Sequence, residues 1–281
     1  MIQLGKLNTL TISRESDFGL FLKDQRDTEV LLPNAYVTPQ MKIGDTLEVF
    51  IYHDSEDRLT ATTQHPIAML DEFGFFEVVD IAPFGAFVSW GLPKDLLVPK
   101  KHQKEPFRIG EKKFLRIIYD EKTHRLIGTE KFTKYLNYEP KGYTINKEVQ
   151  ALVIKETPLG YKTIVDHTYE GLFYKNETYQ KVEVGKTYTA YVKKRRHDGK
   201  LDLSLKKIGA KADKNSQQKI ISILKKHKGK LPYNYKSNAE EIQAFFGMSK
   251  KEFKRTLTLL ANKNIIKIDE RGILYTKYKI E

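Results

Sequence analysis

One pattern of glycine, proline and apolar residues occurs three times in this chain of 281 residues. The first copy has landmarks at Gly19, Pro33, Gly44 and Arg58. The second has the corresponding Gly85, Pro99, Gly110 and Arg125, which follow at spacings of 66, 66, 66 and 67 residues. The third has Gly160, Tyr174, Gly185 and Lys200, each 75 residues after its counterpart in the second copy. Chance patterning does not keep four spacings constant, so the sequence predicts one small domain built three times.

The second copy gives the clearest prediction of what one repeat folds into. Alternating apolar residues separated by turn residues predict five short strands, and five strands within about 65 residues are typical of a small closed barrel. The predicted strands are 75–81, 85–90, 96–99, 112–119 and 125–130. The last hairpins of the first and third copies are predicted at 46–52 with 58–63 and at 187–193 with 200–205.

The C-terminal part of the chain has a different period. From Ser216 onward apolar residues recur every three or four positions, which indicates helices. The first predicted helix runs from Ser216 to near Gly229. The second opens with the capping box of Ser237 and Glu240 and ends at Phe246, and the third opens with the capping box of Ser249 and Glu252 and ends near Asn262. A hairpin is predicted at 265–268 and 273–275. This order of helices and hairpin is that of a winged helix-turn-helix domain.

The residues around the second repeat's glycine resemble those of a known family. Phe84-Gly85-Ala86-Phe87-Val88, followed by Leu96-Leu97-Val98-Pro99 and a hairpin ending in Arg125-Leu126-Ile127, is similar to the S-one (S1) RNA-binding motif. That resemblance implies an OB-fold barrel that binds single-stranded RNA. Three such barrels followed by a winged helix resemble the conserved virulence factor B family, which are bacterial RNA-binding regulators.

The expected fold class is therefore mainly β with a C-terminal α/β module, in which three tandem five-stranded OB-fold (S-one-type) barrels precede a winged helix-turn-helix domain. The expected domains are barrels at 1–68, 69–138 and 145–208 and a winged helix at 214–281. Segments 137–142 and 209–213 are the expected joints.

The resemblance also implies a binding face. In the S-one family this face has two aromatic residues flanking Gly-Ala, a histidine after the third strand, and an acid–base pair in the last hairpin. The matching residues of the second copy are Phe84, Phe87, Pro99, Glu121 and Arg125. Those of the first copy are Phe18, Phe21, Pro33, Asp54 and Arg58. Those of the third copy are Leu159, Lys162, Tyr174, Arg196 and Lys200. The histidine is replaced in every copy, and the third copy has lost both aromatics.

Two interpretations of Phe84 and Phe87 remain open from the sequence. Unstacked bases bind aromatic rings with about 1–3 kcal/mol per base, and a glycine between the rings lets a strand bend and a nucleotide approach. Alternatively, one or both rings fill the barrel, since phenylalanine is mostly a core residue.

Net charge rises along the chain. The total is +13, and segments 1–70, 71–145, 146–210 and 211–281 carry −4, +2, +5 and +10. This gradient indicates a polyanionic partner that binds toward the C-terminus, with a lysine-rich solubilising surface as the alternative. The acidic first copy is expected to contribute least to the binding of this partner.

Two basic clusters are the candidate phosphate contacts. The first is the run Lys193, Lys194, Arg195 and Arg196 with Lys200 across the turn, where only Asp198 and Asp202 are near in sequence. The run is therefore expected to stay unpaired and bind phosphates in a salt-sensitive way, or else to form a mobile hairpin tip. The second is the last predicted helix, which should bury Phe253, Leu257 and Leu260 and expose its cations. The exposed set is Lys250, Lys251, Lys254 and Arg255, with Thr258 and Asn262 nearby.

Three functions are compatible with these residues. The favoured one is a non-catalytic regulator that binds single-stranded RNA through the second and third barrels and the winged helix. A transcription regulator that binds duplex DNA through the winged helix is the alternative. A nuclease would depend on Asp54, Glu56 and Asp57 as metal ligands, but this spacing is more typical of a hairpin turn.

The remaining composition sets limits on ligands and compartment. The chain has no cysteine, its seven histidines lack metal-ligand spacing, and no phosphate-binding loop or nucleophile motif is present. We therefore expect no enzyme activity, no cofactor and no metal. No basic leader or apolar run of about 20 residues is present, so we expect a cytoplasmic protein without a membrane partner. The oligomeric state stays open.

Overall fold

The structure, a computed structural model, describes residues 1–178, 181–208 and 210–276, with only the backbone described at 210–213. The chain divides into two compact units, Met1–Leu136 and Asn137–Glu281. Among the helices of the described part of the chain, none is long and apolar enough to span a membrane.

The first five strands of unit one form a closed barrel, which we call barrel 1. They are β1 (Leu7–Ser16), β2 (Gly19–Lys23), β3 (Glu29–Pro33), β4 (Thr46–His53) and β5 (Leu59–Thr62), and the barrel order is β1-β2-β3-β5-β4. Leu31 of β3 pairs in parallel with Thr60 of β5, which closes the barrel. Leu22 and Leu32 are fully buried in its core, as their alternation with more exposed neighbours requires.

The next five strands repeat this arrangement as barrel 2. They are β6 (Phe73–Ala82), β7 (Gly85–Ser89), β8 (Leu96–Pro99), β9 (Lys112–Asp120) and β10 (Arg125–Thr129), in the sheet order β10-β9-β6-β7-β8. The expected strands are confirmed, but β8 and β10 lie side by side without forming a hydrogen-bonded ladder. The Val98 carbonyl of β8 accepts instead from the Gln103 side-chain amide at 2.8 Å, so this side chain satisfies a backbone group of the edge strand.

Barrels 1 and 2 pack against each other within unit one. Phe50 and Tyr52 of β4 belong to the same buried cluster as the core of barrel 2. The Phe50 ring meets the Trp90 ring edge to face at 5.8 Å. The Trp90 indole N–H donates to the Lys94 carbonyl at 2.6 Å, which fixes the position of the ring.

Unit two begins with barrel 3. Its strands are β11 (Glu148–Glu156), β12 (Gly160–Val165), β13 (Tyr169–Tyr174), β14 (Thr187–Arg195) and β15 (Leu201–Ser204), and the closed order is β11-β12-β13-β15-β14. Gly171 and Phe173 of β13 pair in parallel with Leu201 and Leu203 of β15.

The repeat seen in the sequence is also a repeat of backbone irregularities. The pairing of the first two strands shifts register between Ile12 and Arg14 in barrel 1, between Val78 and Asp80 in barrel 2, and between Val153 and Lys155 in barrel 3. These bulges have the same spacing as the glycine landmarks. Such bulges bend a strand and increase its twist, which helps five short strands to curve into a barrel.

The remainder of unit two is a winged helix domain, as predicted. Its elements are α1 (Ala210–Lys226), β16 (Lys230–Leu231), α2 (Ala239–Phe246), α3 (Lys250–Asn262), β17 (Ile266–Asp269) and β18 (Gly272–Tyr275), and the sheet order is β16-β18-β17. Phe246, Phe253 and Leu257 are fully buried between the helices. The two-residue strand β16 is too short to leave a periodic signal in the sequence.

Two of the predicted helix starts are wrong. Helix α1 begins at Ala210, six residues before Ser216, because alanine and lysine favour helix through the segment expected to be a joint. The Ser216 hydroxyl donates across to Glu252 Oε1 at 2.6 Å rather than capping α1. Helix α2 is capped by Asn238, not Ser237. The Ser249 cap of α3 is confirmed, since its hydroxyl accepts from the Glu252 N–H.

Candidate nucleic-acid interface

The binding face implied by the S-one resemblance begins at the glycine that starts the second strand of each barrel. Gly85 pairs with Pro99, and Gly19 and Gly160 make the same pairing with Pro33 and Tyr174. A Cβ on Gly85 would lie 2.6 Å from the Val98 carbonyl oxygen. The glycine is therefore required by the close approach of the neighbouring strand, a reason that the sequence pattern did not indicate.

The two aromatic residues of barrel 2 lie beside this glycine on the outside of the barrel. Phe84 is 59% exposed in the turn before β7, and Phe87 is half-buried within β7. Their ring centroids are 6.0 Å apart and nearly perpendicular. Core packing therefore does not account for Phe84, whose side chain is largely exposed to solvent.

Barrel 1 has the same aromatic positions but a different environment. Phe18 is 76% exposed, whereas the Phe21 ring is covered by the Arg14 guanidinium at 3.6 Å from the ring centroid. Arg14 is held there by Glu29 at 2.8 Å. The residue of barrel 2 that pairs in register with Phe87 is Asp80, so no such cation covers Phe87 from this position.

Arg125 of barrel 2 forms an ion pair with a residue of barrel 1. Its guanidinium donates to Asp57 Oδ2, and Lys94 Nζ lies 3.2 Å from Asp57 Oδ1. Hydrogen bonding from Lys94 and the charges of both cations lower the pKa of Asp57. The resemblance implied Glu121 as the acidic residue beside Arg125, whereas the ion pair of Arg125 is with a carboxylate from the other barrel.

The acidic turn of barrel 1 is held by ion pairs. Asp54 Oδ2 lies 2.8 Å from Arg58 Nη2, and Glu56 Oε2 lies 2.9 Å from Arg58 Nη1. Asp54 Oδ1 also accepts from the backbone N–H groups of Glu56 and Arg58. These bonds give the three carboxylates of this turn structural partners, which fits the hairpin-turn interpretation.

In barrel 3, the two positions that match the aromatic pair hold Leu159, which is largely exposed, and Lys162. Lys162 is exposed on β12 and Tyr174 is half-buried at the end of β13. The Tyr174 hydroxyl donates to Asp202 Oδ1 at 3.2 Å, and Lys193 Nζ lies 5.7 Å from the ring centroid. Burial, followed by the charge of Asp202, raises the pKa of Tyr174. This tyrosine therefore stays neutral and is oriented by Asp202.

The basic run at the end of β14 is better paired than expected. Lys193 Nζ lies 2.5 Å from Glu177 Oε1, Arg196 Nη2 lies 3.3 Å from Asp198, and Lys200 Nζ lies 2.6 Å from Glu170. The prediction of an unpaired run is wrong because Glu170 and Glu177, which are distant in sequence, come close through β13 and the turn after it. Among the described residues, Lys194 and Arg195 have no carboxylate partner.

The structure adds one aromatic that the sequence analysis missed. Tyr138, in the segment before barrel 3, is 40% exposed and lines a cleft with Arg195 and Arg196. The available signal was its position in the segment expected to be a joint, next to Pro140. A local pattern does not show which hairpin that segment packs against.

The winged helix presents its cations on the exposed side of α3. Phe253, Leu257 and Leu260 are fully buried, which confirms the predicted inner face. Lys251, Lys254 and Arg255 are exposed on the other side, and Lys250 is half-buried. A helix with a buried apolar face and an exposed basic face is suited to lie along phosphates.

Comparisons with known proteins agree with this architecture. A family model described as S1 domain matches residues 4–64, and one described as CvfB-like winged helix domain matches residues 218–274. The chain is 32% identical over 281 residues to the uncharacterized protein YitL of Bacillus subtilis, covering 97% of this chain and 93% of that protein. It is 26% identical over 270 residues to conserved virulence factor B of Staphylococcus saprophyticus, covering 91% and 89%.

A solved structure matches along nearly the whole length. It is a multidomain protein with nucleic acid binding domains from Streptococcus pneumoniae, 27% identical, with 97% of this chain and 98% of that chain covered and a TM-score of 0.40. The two family models confirm the predicted S-one-type barrel and winged helix. Together these domain types indicate nucleic acid as the ligand.

Proposed function

The chain belongs to the conserved virulence factor B family, and we propose that it is a non-catalytic protein that binds single-stranded RNA and regulates expression after transcription. Binding runs through barrels 2 and 3 and the winged helix. Barrel 1 serves mainly to support barrel 2, since its segment is acidic and its Phe21 ring is covered by Arg14.

The preference of the protein for a single strand over a duplex depends on the exposed Phe84 ring. Beside it lies Phe87 at 6.0 Å, on the face that S-one domains use. A base stacks on such a ring only when it is free of its own helix, and this contact supplies about 1–3 kcal/mol. A duplex hides its base faces and gains nothing from Phe84.

The exposed cations of unit two supply the phosphate contacts. The solvent-exposed ones are Lys162, Lys194 and Arg195 of barrel 3 and Lys251, Lys254 and Arg255 of α3. Each phosphate neutralised on a single strand contributes about −0.7 to the slope of log affinity against log salt. Binding is therefore salt-dependent, and Phe84 adds a contribution that salt does not remove.

The DNA-binding alternative is favoured by one observation, the exposed basic face of α3. A winged helix that inserts this helix into a major groove binds duplex DNA with Lys251, Lys254 and Arg255 at the backbone or base edges. The alternative assigns no role to Phe84 or to the three barrels.

A salt titration of binding by the full-length protein tests the proposal. We expect unstructured RNA to bind more tightly than duplex DNA at every salt concentration, and Phe84→Ala to weaken RNA binding without changing duplex binding. If duplex DNA binds more tightly than every single strand tested, and Phe84→Ala changes neither, the transcription-regulator alternative replaces the proposal. Divalent-metal-dependent RNA cleavage by the pure protein would contradict the non-catalytic assignment.

A further inference from the structure

A shallow cleft of about 420 Å³ lies in unit two, between the turn after β14 and the segment that precedes barrel 3. Tyr138, Pro140 and Lys141 line one side, and Arg195, Arg196 and Gly199 line the other. None of the family's motif positions falls on Tyr138 or Lys141. The volume is within the range of about 300–1,000 Å³ that small-molecule sites occupy.

The two sides of the cleft are joined by close backbone contact. Gly199 has φ of +77° and is buried, and a Cβ at this position would lie 1.9 Å from the Tyr138 carbonyl oxygen. The Arg195 Nη1 donates to the Pro140 carbonyl at 3.5 Å, and the Asn137 N–H donates to the Thr168 carbonyl at 2.9 Å. The segment is therefore tied to barrel 3, and the cleft has a defined shape.

The chemistry of the lining combines the exposed Tyr138 ring with several cations, and the Glu139 carboxylate and the His197 ring complete it. Tyr138 is 40% exposed. Lys141 is paired with Glu139 and Arg196 with Asp198, each at 3.3 Å between solvent-exposed groups, and such pairs give way readily to a better anion. Among the described residues Arg195 has no carboxylate partner, and it bonds only to a backbone carbonyl. A planar ring beside a guanidinium suits a base with its phosphate.

We propose that this cleft binds one nucleotide unit of single-stranded RNA, with the base against the Tyr138 ring and the phosphate held by Arg195 and Arg196. The site rests on the proposed RNA-binding function and extends it. It provides barrel 3 with an aromatic contact in place of the two aromatic positions of the S-one pattern, which hold Leu159 and Lys162 in this copy. The stacking residue of barrel 3 then comes from outside the barrel.

The test uses the full-length protein, an unstructured fluorescent RNA of about twelve nucleotides, and anisotropy. Tyr138→Ala should weaken binding about fivefold to a hundredfold, whereas Tyr138→Phe, which keeps the ring, should stay within about twofold of the wild type. Arg195→Gln should reduce the salt slope by about 0.7. Thermal unfolding of each variant serves as the folding control, because the Tyr138 backbone, not its ring, contacts Gly199.

The outcomes distinguish a failure of the proposed site from a failure of the proposed RNA-binding function. A wild-type protein that binds no RNA would overturn the proposed function and the site together. Wild-type affinity that survives both Tyr138→Ala and Arg195→Gln overturns the site and leaves RNA binding intact. Loss of affinity in Tyr138→Phe equal to that in Tyr138→Ala overturns stacking as its basis.

A second arm locates the nucleotide within the strand. The same RNA is titrated with and without a 5′-phosphate. Equal affinities assign the cleft to an internal nucleotide, and tighter binding of the phosphorylated strand assigns it to the strand end. Both results support the site provided that Tyr138→Ala weakens the binding of that strand. Cross-linking of 5-iodouridine RNA to a peptide containing Tyr138 supports it independently, and cross-links confined to other peptides count against it.

Discussion

Arg125 of barrel 2 donates its guanidinium N–H to the Asp57 carboxylate of barrel 1, a residue 68 positions earlier in the chain. Lys94 of barrel 2 reaches the other oxygen of the same carboxylate at 3.2 Å. The S-one resemblance assigns Arg125 to the RNA-binding face. A carboxylate of barrel 1 therefore neutralises two cations of barrel 2, in the way that a phosphate would.

Replacing Asp57 should strengthen RNA binding. In Asp57→Asn, Arg125 and Lys94 lose their shared anion and become available to phosphate, and the gain is small because an exposed ion pair is weak. We expect affinity for single-stranded RNA to rise about twofold to fivefold in anisotropy titrations.

Asp27→Asn is the matched control for this variant. Asp27 is also an exposed aspartate of barrel 1 with positive φ and a lysine partner, Lys23, but it is not bonded to barrel 2. An equal rise in RNA affinity in both variants would show that the effect comes only from the change in net charge. If the RNA affinity of Asp57→Asn does not rise, Arg125 is not part of the RNA-binding face.

The same ion pair predicts a pH dependence of stability. The pKa of Asp57 is lowered, first by its hydrogen bond from Lys94 and then by the charges of Lys94 and Arg125. A lowered folded-state pKa contributes stability above the unfolded pKa of about 3.9, and this contribution is lost as pH falls through the folded value. The difference in melting temperature between wild type and Asp57→Asn should be constant from about pH 8 to 5 and shrink as the pH falls below the unfolded pKa of about 3.9. A difference that grows on acidification would contradict this assignment.

The exposed rings of barrels 1 and 2 provide a matched pair. Phe84→Ala should weaken RNA binding by about fivefold to a hundredfold, since a stacked base is lost. Phe18→Ala removes an even more exposed ring at the same register position of the acidic barrel 1 and should change affinity less than about twofold, on the order of the measurement error. Both side chains are largely exposed, so both variants should keep the wild-type melting temperature. Equal losses of RNA affinity in the two variants would show that barrel 1 is also part of the RNA-binding surface.

The local signals in the sequence predicted the elements well and the contacts poorly. Glycines, turn residues and period-two alternation identified the strands of barrel 2 to within about two residues, because strand and turn preferences act over a few positions. The pairing of Lys200 with Glu170 and of Lys193 with Glu177 was missed, since both depend on how β13 and β14 come together. Tyr138 was missed for the same reason, because its role depends on Gly199, 61 positions away.

The repeated glycine predicts a stability effect that does not involve RNA. A Cβ on Gly160 would lie 1.9 Å from the Phe173 carbonyl oxygen, so Gly160→Ala requires β12 and β13 to separate, and such overpacking costs about 1–3 kcal/mol and occasionally more. Gly142→Ala is the control: φ is +78° and no atom lies within 4 Å, which limits the cost to about 1–2 kcal/mol of backbone strain. Hydrogen–deuterium exchange of barrel 3 peptides reports both effects locally. Faster exchange in Gly142→Ala than in Gly160→Ala would refute the close-approach explanation.

The winged helix allows RNA and DNA binding to be separated by one substitution. Lys254→Ala removes an exposed charge from α3 and, since alanine favours helix, should leave the domain folded. If α3 contacts the RNA backbone, the salt slope for single-stranded RNA falls by about 0.7. Lys225→Ala, an exposed lysine in the last turn of α1, controls for general charge and should leave the slope unchanged. A Lys254→Ala effect seen only with duplex DNA would assign α3 to a DNA groove and leave RNA binding to the barrels alone.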